Sequence, residues 1–110
     1  REVPQQLAGL LSWLDRNYAN PVTAEELAAR CGVSPTTLFR LFRGHVGESP
    51  LEYVIRLRMK HARALLLENQ LPIKEIALRC GYGNALYFSS EFRRIHGVSP
   101  RAFRRRNLHY

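Results

Sequence analysis

No apolar run in this chain approaches the roughly 18 residues that a membrane-spanning helix requires, and the N-terminus lacks the hydrophobic core of a signal peptide. The chain therefore reads as soluble and cytoplasmic, with no membrane partner. Cysteine is scarce, at two residues. Both stand directly before a glycine, as Cys31-Gly32 and Cys80-Gly81, and read as small buried hydrophobes in a reducing compartment rather than as a disulfide. Sequence patterns for catalysis and metal binding are missing. The four histidines, His45, His61, His96 and His109, are spaced by 16, 35 and 13, with no paired Cys ligands, no HExxH, no Gly-rich phosphate loop and no nucleophile elbow. No catalytic residue, metal or cofactor is implied, and the expectation is a non-enzyme.

Acidic residues are also few, 9 against 17 Lys and Arg. The imbalance is local: residues 31–110 carry 14 basic and 5 acidic side chains, while residues 1–30 are nearly balanced. Such asymmetry favours a polyanionic partner, although a basic surface kept for solubility explains the charge equally well. At 110 residues the chain suits one domain or two small subdomains, without an active-site cleft between large lobes. It has no initiator Met and opens Arg1-Glu2-Val3-Pro4, which points to a C-terminal or internal piece of a longer protein.

The stretch from Ser49 to Asn69 reads as one long helix. Ser49 caps it, Pro50 suits the first helical position, and Glu52 stands where a capping box needs a carboxylate. At about 100° per residue, Leu51, Ile55, Met59, Ala62 and Leu66 form one apolar stripe. Tyr53, Leu57 and Ala64 form another roughly opposite, so the helix is expected to be packed on both sides. Arg56, Lys60 and Arg63 make a basic edge between them.

The flanks of this helix are the same unit twice. An offset of 49 places Asn20 on Asn69, Glu26 on Glu75, Ala28 on Ala77, Arg30 on Arg79, Cys31 on Cys80 and Gly32 on Gly81. At an offset of 50, Leu38 meets Phe88, Phe42 meets Phe92, Arg43 meets Arg93, and Gly47, Ser49 and Pro50 meet Gly97, Ser99 and Pro100. One residue has been inserted in the second copy's turn. Two copies make a duplication rather than a solenoid.

In order, Val3 to Tyr18 has Leu7, Leu10, Leu11, Leu14 and Tyr18 at helical spacing. Asn20-Pro21 breaks that helix, and Thr23 with Glu26 forms a capping box for a second, about two turns long, that ends at Gly32. Gly32-Val33-Ser34-Pro35 is a tight turn that leads into a third helix, running to Gly44 or Gly47. Helix, short turn with Gly, helix is the helix-turn-helix unit. The second copy repeats it: Pro72 to Arg79, the turn Cys80-Gly81-Tyr82-Gly83, and a helix capped by Asn84 that reaches His96. Ser99-Pro100 opens a last helix through Phe103 into Arg104-Arg105-Arg106. No stretch alternates with period two for long, so the fold class is all-α with about seven helices. Residues 1–48 and 70–110 are the two helix-turn-helix subdomains, and residues 49–69 are the linker helix.

On the third helix Leu38, Leu41 and Phe42 make the buried stripe, which leaves Thr36, Arg40 and Arg43 outward and Phe39 at the boundary. On the equivalent helix of the second copy Phe88, Phe92 and Ile95 are buried, and Leu86, Ser89, Ser90 and Arg93 face outward. A helix in the major groove of DNA needs this mixture. Arg forks onto guanine, Ser and Thr bond either kind of edge, and an apolar side chain meets the thymine methyl. An ordinary solvated helix face has similar polarity, but Leu86 on an otherwise polar face argues against it.

Three stretches, LAARCGVSPTTLFRLFRGHVGESPLEYV, RLRMKHARALLL and IKEIALRCGYGNALYFSSEFRRIHGVSPRAFR, together resemble the DNA-binding domain of the AraC/XylS family of bacterial transcription regulators, from about Leu7 to Arg104. The resemblance implies two homeodomain-like helix-turn-helix subdomains joined by a long helix. It implies that both recognition helices enter successive major grooves on one face of double-stranded promoter DNA, with activation through RNA polymerase. The family's base-reading positions fall on Thr36, Phe39 and Arg40, and on Ala85, Leu86, Ser89 and Ser90. No long polar side chain occupies the second set, so direct readout there is expected to be the weaker. Arg43, Arg56 and Arg93 are phosphate-contact candidates by charge and face. Dimerisation and effector binding are implied for a separate N-terminal domain. Apart from the resemblance, a helical protein-interaction module is the main rival, and its sign is partner binding that survives high salt and ignores DNA. An RNA-binding role fits the charge but lacks the usual aromatic stacking platform.

Overall fold

The backbone hydrogen bonds left over at each predicted boundary decide where the helices begin and end. The computed structural model describes residues 3–68 and 70–107; Asn69, the expected end of the long helix, and His109 lie outside the described residues. Seven helices and no strand occur among the described residues: α1 Gln5–Asn17, α2 Ala24–Cys31, α3 Pro35–His45, α4 Pro50–Glu68, α5 Ile73–Arg79, α6 Ala85–His96 and α7 Pro100–Asn107. They divide into two compact units, residues 1–57 and 58–110, with the boundary inside α4.

In the first unit α1 is shorter than the expected span from Val3 to Tyr18. Pro4 has the extended ψ of 144°, and a residue before proline avoids the helical region, so Val3 stays outside. At the other end the Asn17 side chain donates to the Trp13 carbonyl at 2.9 Å and the Asn20 N–H to the Asn17 carbonyl at 3.0 Å, which turns the chain out of the helix. The Thr23 and Glu26 capping box is present in both directions, at 2.8 and 3.1 Å. Leu7, Leu10, Leu14, Leu27, Leu38 and Phe42 form the heart of the core with Val54 and Leu57 of α4. Each fully buried side chain of this size contributes about 1.5–3 kcal/mol.

At the start of α4 the Ser49 N–H donates to Glu52 at 2.9 Å and the Glu52 N–H to Ser49 Oγ at 3.2 Å, the expected reciprocal cap. The expected stripe is corrected here. Leu51 is 46% exposed, and burial in this unit falls on Leu57, as expected of the second stripe, and on Val54, which belonged to neither stripe, because Pro50 is buried at the first position and residues four and seven further on share its face.

In the second unit Met59, Ala62 and Leu66 of α4 are buried with Ile76, Ala77, Cys80, Tyr82, Phe88 and Phe92. Helix α5 starts at Ile73, with Pro72 as its cap rather than its first residue. Arg104 on α7 donates to the carbonyls of Leu66 at 3.2 Å and Leu71 at 2.8 Å. Those carbonyls lie at and just beyond the end of α4, where intrahelical donors run out.

The duplication extends to contacts. The Val33 N–H donates to the Ala28 carbonyl at 3.1 Å, and the Tyr82 N–H to the Ala77 carbonyl at 2.9 Å, both six-to-one bonds that close a helix end. Gly32 and Gly81 have φ of 76° and 96°, a region glycine enters without steric cost. Since Tyr82 matches Val33 and Asn84 matches Ser34, the inserted residue is Gly83. Phe42 meets Tyr53 edge-on at 5.8 Å, and Phe92 meets Phe103 in the same manner at 5.5 Å.

Candidate nucleic-acid interface

Helix α3 is fixed in rotation by its cap and its buried stripe. Ser34 Oγ accepts from the Thr37 N–H at 3.1 Å, and Pro35 occupies the first turn. Leu38 and Phe42 are fully buried and Leu41 is half-buried. The remaining arc carries Thr36, Arg40 and Arg43, all exposed, with Phe39 beside them at 48% exposure. The Arg43 guanidinium lies 5.1 Å from the Phe39 ring centroid and 3.6 Å from the Glu52 carboxylate. Arg40 makes no hydrogen bond or ion pair with any described residue, so its five donors are available to a ligand.

Helix α6 is built alike. Asn84 Oδ1 accepts from the N–H groups of Leu86 at 2.8 Å and Tyr87 at 3.0 Å, and Phe88 and Phe92 are fully buried. Leu86, Ser90 and Arg93 are exposed. Ser89, expected outward, is half-buried, as are Ala85 and the expected core residue Ile95. Ser89 follows the buried Phe88 by one residue, about 100° around the helix, which puts it on the border of the buried face. Leu86 is 82% exposed, an apolar side chain held in water at the centre of a polar face. Tyr87, 57% exposed, had no part in the sequence reading. Its ring approaches Tyr82 at 5.8 Å, and its place next to Phe88, one step off the core, was the available signal.

The phosphate candidates differ in their present partners. The Arg56 Nε donates to both Glu48 oxygens, at 2.9 and 3.2 Å, and Nη2 is also bonded to Glu48. That pairing holds the guanidinium pKa above its ordinary value. Arg43 is paired with Glu52. Arg93 has no ion pair among the described residues. The Arg43–Glu52 pair is exposed on both sides and contributes only about 0–1 kcal/mol, so Arg43 can exchange a carboxylate for a phosphate at small cost, whereas Arg56 is held by three bonds to the mostly covered Glu48.

No group of three or more His, Cys, Asp or Glu side chains converges among the described residues. The Cys80 thiol is pushed up to about 11 by burial, and burial also raises Cys31, so neither is a thiolate near neutral pH. No described helix is long and apolar enough to cross a membrane.

A family model described as a helix-turn-helix domain matches residues 27–106. Similarity extends to a solved AraC-type transcriptional regulator from Chromobacterium violaceum, 32% identical, with a TM-score of 0.84 over 94% of this chain and 92% of that one. The chain belongs to the AraC-type helix-turn-helix DNA-binding family. This AraC-type domain is similar also to the DNA-binding domain of AdpA, a global transcriptional factor solved in complex with a target DNA. That match is 33% identical with a TM-score of 0.89, over 94% of this chain and 93% of that chain. Among curated proteins it is 39% identical over 99 residues to the HTH-type transcriptional activator RhaS of Salmonella schwarzengrund. That match takes in 90% of this chain but 36% of RhaS, so the AraC-type domain spans about a third of the length of that relative. The family consists of DNA-binding domains of transcription factors, not enzymes, and sequence-specific DNA binding is its function.

Proposed function

We propose that this AraC-type domain binds a promoter operator with α3 and α6 as its two recognition helices, set into successive major grooves. Thr36, Phe39 and Arg40 on α3, and Ala85, Leu86, Ser89 and Ser90 on α6, read base edges; Arg43, Arg56 and Arg93 hold phosphates. The observation that carries this reading is the outward arc of α3. There Arg40, free of any described partner, stands beside an exposed hydroxyl and an exposed ring, a set of groups able to tell base pairs apart in the major groove. Residues 49–69 then serve as linker between a first subdomain, 1–48, and a second, 70–110. The similarity to RhaS, a transcriptional activator, supports activation through RNA polymerase in the cytoplasm, with effector binding and dimerisation in a separate N-terminal domain.

The test is selection of bound duplexes from a random pool. Two enriched half-motifs about one helical turn apart support the two-groove reading. A single short motif limits base reading to one helix, and no enrichment leaves only charge-driven binding. For the linker, inserting one alanine in α4 where the two compact units divide, between Leu57 and Arg58, turns the following residues by about 100°. Full-site affinity is then expected to fall towards that of a half-site with helix content unchanged, and unchanged affinity overturns a rigid linker.

A further inference from the structure

The two copies of the duplicated unit have kept their cores and parted company in charge. Residues 1–57 carry six basic and six acidic side chains, and residues 58–110 carry eleven basic and three acidic. The whole net charge of +8 therefore belongs to the second unit.

The excess concentrates where the copies differ. In the first copy Glu52 pairs with Arg43, and Glu48 with Arg56. At the matching positions the second copy has Ala102 and Val98, and Arg93 and Arg106 have no ion pair among the described residues. Three further exchanges add cations: Leu51, Val54 and Ile55 of the first copy correspond to Arg101, Arg104 and Arg105. Helix α7 consequently contains four arginines and no acid. Arg101, Arg104 and Arg105 line a surface cleft of about 570 Å³ together with Pro72 and Ile73. In the first copy the comparable region is an apolar cleft that includes Ala24, Phe39 and Leu51.

Within the α7 cleft the arginines divide the work. Arg104 is half-buried and committed to the Leu66 and Leu71 carbonyls, so it is a positioning residue that ties α7 to the end of α4. Arg101 and Arg105, one turn apart on the same face, are exposed and make no hydrogen bond or ion pair with any described residue. Two unpaired guanidinium forks at one cleft oppose each other electrostatically, and an anion between them relieves that repulsion and accepts both.

We propose that Arg101 and Arg105 form a phosphate-binding cleft that grips the DNA backbone without reading sequence, so that the second unit is the electrostatic anchor and the first unit the stronger reader of bases. This rests on the DNA-binding reading above. It also accounts for the small side chains Ala85, Ser89 and Ser90 on α6, since a unit held by phosphates needs fewer base contacts.

The test measures binding of the whole chain to a selected duplex and to a scrambled duplex across a salt series. Each lost phosphate contact flattens the slope of log K against log salt by about 0.9. The R101A/R105A variant is expected to flatten it by up to about 1.8, with equal loss on both duplexes. R101Q/R105Q, which keeps side-chain bulk, should behave alike. R16A/R79A removes the same charge from sites bonded to Ser12 and Glu75 and should leave the slope unchanged. An unchanged slope in both cleft variants, with circular dichroism intact, overturns the proposal; so does a loss confined to the selected duplex, which would make these arginines readers of bases. Wild-type chain that binds neither duplex overturns the DNA-binding reading instead, and equal flattening by R16A/R79A reduces the effect to net charge and refutes the cleft.

Discussion

Leu86 offers the sharpest separation of fold from function, because it is large, apolar and 82% exposed. Truncating Leu86→Ala removes three carbons that the folded protein scarcely buries, so unfolding free energy should change by no more than about 0.5 kcal/mol. If the side chain is buried against a thymine methyl in the complex, the same truncation forfeits about 0.8 kcal/mol per carbon group. The total is about 2 kcal/mol, or roughly thirtyfold in affinity. Phe88→Ala, two residues on and fully buried, should do the opposite and cost about 3–5 kcal/mol of stability. The assay is a fluorescence titration of the selected duplex beside urea unfolding of the same samples. Replacing the contacted thymine by deoxyuridine, which lacks the methyl, supplies a cycle: the protein and DNA changes should be strongly non-additive. Unchanged affinity, or full additivity at every thymine of the site, refutes the contact. A stability loss above about 1 kcal/mol refutes the premise that Leu86 has no structural role.

Three further expectations use other parts of the chain. Arg40→Ala should cost about 1–3 kcal/mol on the selected duplex and relax preference at one base pair, whereas Arg93→Ala should weaken all sequences alike and flatten the salt slope by about one; competition with single-base variants separates the two, and identical behaviour of both mutants sinks the assignment. Cys31→Ser and Cys80→Ser should each lower stability by about 1–3 kcal/mol by burying a hydroxyl without an assured partner, while reductant and chelator leave DNA binding unchanged; loss of binding on oxidation, restored by thiol, would reveal a redox switch instead. His96 packs against Phe92 and Phe103, and burial first, then the positive charge of Arg63, lowers its pKa. Its folded form therefore resists protonation, so stability is full above about pH 6.5 and falls as the pH drops below it; thermal melts of His96→Leu should lose part of that slope, and an unaltered slope would place the pH dependence elsewhere.

Helix boundaries were legible in the sequence because the groups that set them are local. Thr23 with Glu26, Ser34 with Pro35, Ser49 with Glu52, and Asn84 each act within three residues, and all four caps are where the sequence puts them. The outward faces of α3 and α6 could be read nearly as well, since Phe42 and Phe92 fix the rotation. What failed needed tertiary context. Leu51 belongs to an apolar stripe by spacing, but a long helix shared by two compact units has no single buried face to extrapolate, and Val54, outside both expected stripes, is buried instead. The pairing of Arg56 with Glu48 spans eight residues and crosses a turn, beyond the reach of helical periodicity. The α7 cleft was likewise hidden: the run Arg104-Arg105-Arg106 is evident in the sequence, but its proximity to Pro72 and the capture of Arg104 by two carbonyls come only from the fold.

A duplicated unit carries its own internal control. What both copies retain answers to the fold they share: the glycine with positive φ, the buried cysteine before it, the phenylalanine at the centre of the second helix, and the buried proline after the next cap. What they exchange has been free to follow the ligand. Even the insertion of Gly83 fits this division. It lengthens the turn by one residue, and the cap changes with it from Ser34, which accepts one backbone N–H, to Asn84, which accepts two. The turn has altered while the six-to-one bond and the buried rings on either side have not, so constraint lies in the core and the helix ends rather than in loop length. By the same reasoning, Glu52 and Leu51, which give way to Ala102 and Arg101, are exposed positions, whereas Glu48, which gives way to Val98, is mostly covered and bonded to Arg56. Each exchange makes the local charge more positive, and all three lie in α7 or in the turn between α6 and α7. A common direction of charge is what the proposed phosphate grip of α7 expects, and under that proposal the stronger discrimination between sequences falls to α3.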